Sequence, residues 1–141
     1  MRLIYIAGPV TGKLDRNFEA FKWTRGVVSI VTGIPERSIT IPQDLVKDGD
    51  SEAKAMYECL GFISLTVELG GDLTVVALPN WRESAGSLVE VALARKLGVP
   101  VCELHGDEFV LLSPGHPSEA ARRATGETAS DHANLGKETQ T

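Results

Sequence analysis

The chain has 141 residues, of which 43% are hydrophobic and 23% charged, and a formal net charge of −5. That size and apolar share suit one globular domain with a single core, and the acidic balance argues against a nucleic-acid surface. No apolar stretch is long enough to cross a bilayer. Met1-Arg2-Leu3 leads straight into a strand-like run, so the reading is a cytoplasmic protein without a leader peptide.

Leu3 to Ala7 (LIYIA) is a continuous apolar run, as a buried parallel strand requires. Gly8-Pro9-Val10-Thr11-Gly12 breaks it. Asp15-Arg16-Asn17 supplies helix-start residues, and Phe18, Phe21, Val28 and Val31 follow at helical spacing up to a stop at Gly33. Ser38 to Ile41 is a short second strand ended by Pro42. Glu52 to Leu69 carries a helical pattern closed by Gly70-Gly71. Leu73 to Leu78 (LTVVAL) is a third strand, Pro79 to Glu83 a loop, and Ser84 to Leu97 a helix ended by Gly98. Pro100 to Leu104 and Glu108 to Leu112 complete the strands. This order predicts an α/β domain over residues 1–113: a Rossmann-like, flavodoxin-like three-layer fold with a mostly parallel sheet of four or five strands. Residues 114–141 have no aromatic side chain and are rich in small and polar residues, which predicts a disordered tail with at most one helical turn near Ala120 to Ala124.

Cys59 and Cys102 form no CxxC pair and are read as buried thiols. His105, His116 and His132 share no ligand spacing with them, so no zinc site is expected.

Ligands of open parallel sheets bind beyond the carboxyl ends of the strands. That rule selects Gly8 to Gly12, Pro42-Gln43-Asp44, and Pro79 to Glu83 with the following helix start. Gly8 lets backbone approach a ligand. AGPVTG is neither GxGxxG nor a P-loop, so alone it fits a plain strand-to-helix turn equally well. In WRESAGSLVE, Ser84 is a good N-cap. The amides of Ala85, Gly86 and Ser87 would then point at the sheet edge, as an anion requires. Glu90 falls one turn after Gly86 and Ser87 on the same side, where a carboxylate between Val89 and Val91 can act as nucleophile or base. An exposed glutamate on an amphipathic helix has the same spacing. Glu83, Arg95 and Lys96 read as solvated charges.

YIAGPVTG, NFEAF at Asn17 to Phe21, and GGDLTVVALPNWRESAGSLVEVALARKLGVPV together resemble the nucleoside 2-deoxyribosyltransferase-like superfamily over about Leu3 to Val101. The likeness is closest to a small branch of phages and bacteria. The resemblance implies that Glu90 is the nucleophile that takes the sugar as a covalent ester, with the base as leaving group and water or a second base as acceptor. The glycosyl-transfer chemistry that it implies needs no metal or organic cofactor. Ser84 stands where nucleoside-transferring members carry aspartate and resembles the serine that helps hold phosphate in 2′-deoxynucleoside 5′-monophosphate N-glycosidases. Tyr5, Gly8 and Pro9 match the wall of the base and sugar, and Asn17 a residue typical of the branch. Trp81 could stack on a base or serve as a rim tryptophan. The expected partners are a nucleotide or nucleoside and further copies of the chain in a homo-oligomer, with Ser113 reaching a partner's phosphate pocket. The acid that the superfamily carries on the helix before the third strand is replaced by Ser64, with Asp44 as a possible substitute. That departure supports an alternative: a nucleotide-binding or sensing module of the same fold with weak or no catalysis.

Overall fold

Five strands form one sheet in the order β2-β1-β3-β4-β5. In chain order the elements are β1 (Arg2–Ala7), α1 (Phe18–Thr32), β2 (Ile39–Thr40), α2 (Pro42–Leu45), α3 (Glu52–Glu68), β3 (Asp72–Ala77), α4 (Ala85–Lys96), β4 (Val101–His105) and β5 (Glu108–Leu111). The structure is a computed structural model and describes residues 2–11 and 13–112. The tail expected over 114–141, and Ser113, lie outside the described residues. β1 pairs in parallel with β2 and β3, and β3 with β4; β5 runs antiparallel to β4. A two-residue turn, Gly106-Asp107, makes that reversal, with Gly106 at φ +65°. The order is that of a doubly wound, flavodoxin-like sheet, whose switch point lies between β1 and β3. No helix among the described residues is long and apolar enough to cross a membrane.

Both faces of the sheet are covered, and strand alternation decides which side chain goes where. Ile4 and Ile6 of β1, with Val76 and Leu78, meet Phe21 and Val28 of α1. Tyr5 and Ala7, with Leu73, Val75 and Ala77, meet Cys59 and Ile63 of α3 and Val91 and Ala94 of α4. Every residue from Ile4 to Ala7 is 2% exposed or less, because both faces of this strand are packed.

Three local expectations are corrected. Of Asp15, Arg16 and Asn17, only Asn17 stands at the start of α1, as an N-cap without a side-chain capping bond, and none is helical. They form a left-handed turn (φ 50°, 53° and 62°), a conformation that costs about 1–2 kcal/mol per residue. Tethers hold it: Asn17 Nδ2 donates to the Pro9 carbonyl (2.9 Å), Gln43 Nε2 to the Arg16 carbonyl (2.8 Å), and Arg16 Nη1 to the Val46 carbonyl (3.2 Å). Second, the second strand is only Ile39–Thr40, shorter than Ser38 to Ile41, and Pro42, which ends it as expected, starts α2, where Asp44 Oδ2 accepts from the Ile41 amide (3.0 Å). Third, Cys102 is half-buried, whereas Cys59 is buried as expected.

Gly8 has a packing reason that its sequence context did not reveal. A Cβ there would lie 2.5 Å from Leu78 Cδ1 and 2.8 Å from Cγ. Leu78 therefore fills the space that the missing side chain leaves, and the ends of β1 and β3 close on each other through the Leu78 amide and Ala7 carbonyl (2.9 Å). Gly8→Ala should cost roughly 1–3 kcal/mol by overpacking. In urea unfolding, Gly8→Ala combined with Leu78→Ala should cost clearly less than the sum of the two single changes; strict additivity would show that the two sites do not compete for one space.

Candidate functional site

The period-2 register of β1 turns Tyr5 toward the α3–α4 layer, and the helical phase of α4 turns Glu90 toward the sheet. The two meet: Tyr5 Oη donates to Glu90 Oε2 at 2.7 Å, fully inside the protein. Tyr5 has no exposed surface, and Glu90 is 5% exposed. Burial pushes the Glu90 carboxyl up to about 7, against which the donors Tyr5 and Cys59 act. Burial also raises Tyr5 well above the usual phenol range, and the Glu90 charge adds to that. The proton between them therefore stays on the phenol, and Glu90 is the group that titrates near neutrality.

Glu90 is buried from bulk water but opens on a pocket of about 310 Å³. The pocket lies at the carboxyl ends of β1 and β3. It is lined by Gly8, Pro9, Val10 and Thr11 after β1, by Cys59 and Met56 of α3, and by Ser84 to Ser87 at the start of α4. Gly86 permits this approach of helices, since a Cβ there would lie 3.3 Å from Met56 Sδ.

The start of α4 is capped as its serine predicts, with one difference. Ser84 Oγ accepts from the Ser87 amide (3.1 Å), so that amide is occupied. Among the described residues the amides of Ala85 and Gly86 have no acceptor, which is the usual state of a first helical turn. Ser87 Oγ is a further unpartnered group: the residue is 1% exposed, lines the pocket, and its hydroxyl has no hydrogen-bond partner among the described residues. Arg16 of the left-handed turn and Lys13, extended just before it, line the same pocket; Arg16 Nε also pairs with Asp48 Oδ1 at 3.0 Å. Two free amides and an orphaned hydroxyl at the start of α4 are the donors an anion needs, with Lys13 and Arg16 on the same lining beside the carboxyl groups of Glu52 and Glu83.

Other sequence candidates have different places. Tyr5 is no wall for a ligand; it lies beneath the pocket and holds Glu90. Asn17 is absent from the lining, and its amide fastens the turn to Pro9. Asp44 is also absent, because Arg25 Nη1 (2.8 Å) and the Ile41 amide hold its carboxylate. Ser64 is exposed on the outer side of α3, by Leu65 and Leu97. Trp81 is 4% exposed and packs in the α3–α4 core with Arg82 stacked on its ring at 4.6 Å, so no base can reach it. Gly8, Pro9, Ser84 and Gly86 do line the pocket.

Cys59, Lys13, Arg16 and Glu52, which the sequence did not single out for the site, also line it, as do Glu83 and Ser87. Glu52 accepts from Thr11 Oγ1 at 3.1 Å. It stands in the first turn of α3, the helix before β3, about three turns ahead of the Ser64 that the resemblance pointed to. Among the described residues no cluster of three or more His, Cys, Asp or Glu side chains could hold a metal ion.

The raised Glu90 pKa is also a statement about stability. The folded protein binds this proton more tightly than the unfolded chain, whose carboxyl titrates near 4.5. Stability from this group is therefore full below about pH 4.5 and is lost as pH rises through about 7, by about 3 kcal/mol. Glu90→Gln abolishes that loss. Urea unfolding should show the variant gaining about 3 kcal/mol on the parent between about pH 4 and about pH 8. Stability curves that run parallel over that range would mean that the carboxylate is not desolvated.

A family model described as a domain of unknown function (DUF4406) matches residues 2–103, from β1 into β4 and across every pocket-lining residue. No curated protein and no solved structure matches the chain. By that match, which spans the four parallel strands and Glu90, the chain belongs to the DUF4406 family.

Proposed function

We propose that the pocket cleaves the N-glycosidic bond of a nucleoside 5′-monophosphate or related nucleoside through a covalent glycosyl ester on Glu90. The observation that carries this reading is a buried carboxylate, oriented by Tyr5 and opening on a pocket lined by the free amides and the unpartnered hydroxyl at the start of α4. The likeness of YIAGPVTG and WRESAGSLVEVALARKLGVPV to nucleoside 2-deoxyribosyltransferase-like enzymes agrees with it.

The chemistry follows from the geometry. A phosphate at the Ala85 and Gly86 amides, with Ser84 and Ser87 beside it, would set the sugar over Glu90. A free Glu90 oxygen attacks the anomeric carbon, and the bond to the base nitrogen breaks with its electron pair going to the base. The base takes up a proton as it leaves; Glu52 and Glu83 are the other carboxyl groups of the pocket that can supply it. Water or the nitrogen of a second base then attacks the same carbon, loses a proton, and returns Glu90 as carboxylate. Retention of configuration results, because two displacements occur at one centre.

The state of Glu90 sets the pH dependence. Attack needs the carboxylate, so kcat/KM should fall about tenfold per pH unit below about 7, with Glu90 protonated. Free base released from purified protein and nucleoside 5′-monophosphates, scored by chromatography, tests the reading. Glu90→Gln should lower the rate by roughly 10³-fold or more with the fold intact. Unchanged release in Glu90→Gln would remove this mechanism.

One observation favours a second reading, a nucleotide-binding module without turnover. Neither Ser64 nor Asp44 reaches the pocket, and Glu52, which lines it from α3, already accepts from Thr11 Oγ1. Tight nucleotide binding with no base released over hours would select this reading.

A further inference from the structure

The outer face of α4 is apolar and plays no part in the chemistry above. α4 carries two stripes of the same helical spacing on opposite sides. The inner one, Ser87, Glu90, Val91 and Ala94, is buried and includes two polar residues. The outer one, Ala85, Leu88, Val89 and Ala92, is exposed and includes none. Both follow the spacing i, i+3, i+4, i+7, so polar groups point inward and an apolar stripe faces water. A helix on the surface of a lone domain has the reverse arrangement. Leu88 and Val89 are 46% and 47% exposed. The neighbouring α3 adds Tyr57 and Leu65, 74% and 58% exposed, and an open groove lined by Gly61, Ser64 and Leu97 joins the two helices. Apolar surface that runs over two adjacent helices marks an interaction site, unlike apolar side chains scattered singly.

The charges at the two ends of the stripe select its occupant. Glu83 is exposed just before α4, and Arg95 and Lys96 lie in its last turn. Acid, apolar stripe and base therefore follow one another along a single helix. A second copy laid antiparallel sets Val89 against Ala92, and Lys96 against Ala85 and Glu83, each contact occurring twice by two-fold symmetry. A parallel copy would set acid on acid and base on base. Ala85 and Ala92 are small, which lets the two helices come close. We propose that the outer face of α4 is an isologous dimer interface, covered by α4 of a second copy running antiparallel. This register brings Lys96 of the partner subunit beside Glu83, at the lip of the pocket that Glu83 and Ala85 line. Each copy then adds a cation to the mouth of the other's pocket. The interface goes beyond the glycosyl-transfer reading and does not depend on it, since the outer stripe and its end charges alone carry it.

Sedimentation equilibrium of the full-length protein tests this, with far-UV circular dichroism to establish that each variant is folded. The parent should be a dimer at about 10 µM, a concentration well above the Kd of an ordinary stable interface. Val89→Glu sets two carboxylates at the two-fold axis and should leave a folded monomer. Ala92→Glu takes its place if Val89→Glu does not fold, with the same monomer expected. Glu83→Lys and Lys96→Glu should each weaken the dimer by roughly tenfold, and the two changes together should bring Kd back to within about threefold of the parent. Ile30→Glu, at a position 84% exposed on α1 across the sheet, should leave the dimer intact. A monomeric parent would overturn the proposal, as would a dimer that survives Val89→Glu and Ala92→Glu, or one that Ile30→Glu breaks. A double charge reversal no tighter than the single ones would overturn it too, by removing the antiparallel register. None of these measurements reads base release, so a failure of the glycosyl-transfer reading would leave them unmoved.

Discussion

The hydrogen bond from Tyr5 to Glu90 joins β1, an inner strand of the sheet, to the helix that forms one wall of the pocket. A carboxyl group moved into a protein interior without partners is strongly disfavoured, and leaving a buried phenol unpaired carries its own cost of about 1–3 kcal/mol. Each group therefore needs the other, and the elements that carry them must hold register. A slip of β1 by one residue would turn Tyr5 to the α1 face and bring Ile4 or Ile6 beneath Glu90. A rotation of α4 would set Leu88 or Val89, both about half exposed, toward the sheet. The apolar packing of Val91 and Ala94 below and the cap at Ser84 above prevent that rotation. The bond is a consequence of two hydrophobic alternations, one of period 2 and one of period 3.6, that place two polar side chains at one point.

What surrounds this pair divides into an apolar floor and a polar lip. The floor is continuous with the core on the α3–α4 side, which is why burial dominates the titration of Glu90. The lip comes from backbone ends: the loop after β1, the first turn of α4, and the left-handed turn before α1. That last turn is costly in conformational terms. Side-chain bonds from Asn17, Gln43 and Arg16 offset its strain and carry Lys13 and Arg16 to the pocket edge. Strain of this kind persists where surrounding contacts over-determine it, often beside a functional site.

Several polar residues that suggested chemistry serve architecture instead. Asp44 caps a four-residue helix and neutralises Arg25. Trp81 fills the core under α4, and its neighbour Arg82 bridges to Glu103 at 3.5 Å. Asn17 fastens a loop. Asp44 and Asn17 satisfy backbone groups near the pocket without lining it, which is the ordinary reason for polar side chains to cluster at strand ends.

From sequence alone, apolar periodicity and glycine stops settled the layered α/β architecture, the identity of the long helices, and the cap at Ser84, because these depend on residues close together along the chain. Periodicity also turned Glu90 to the same side of its helix as Gly86 and Ser87. Only the tertiary structure decided whether that side met solvent or the interior, since this depends on β1, 85 residues away in sequence, at the Tyr5 contact. The same holds for Gly8, whose space Leu78 takes, and for Glu52, Cys59 and the two cations, which sequence separates and the switch point between β1 and β3 collects. Local patterns specify which face a side chain takes; long-range packing alone specifies what lies opposite it.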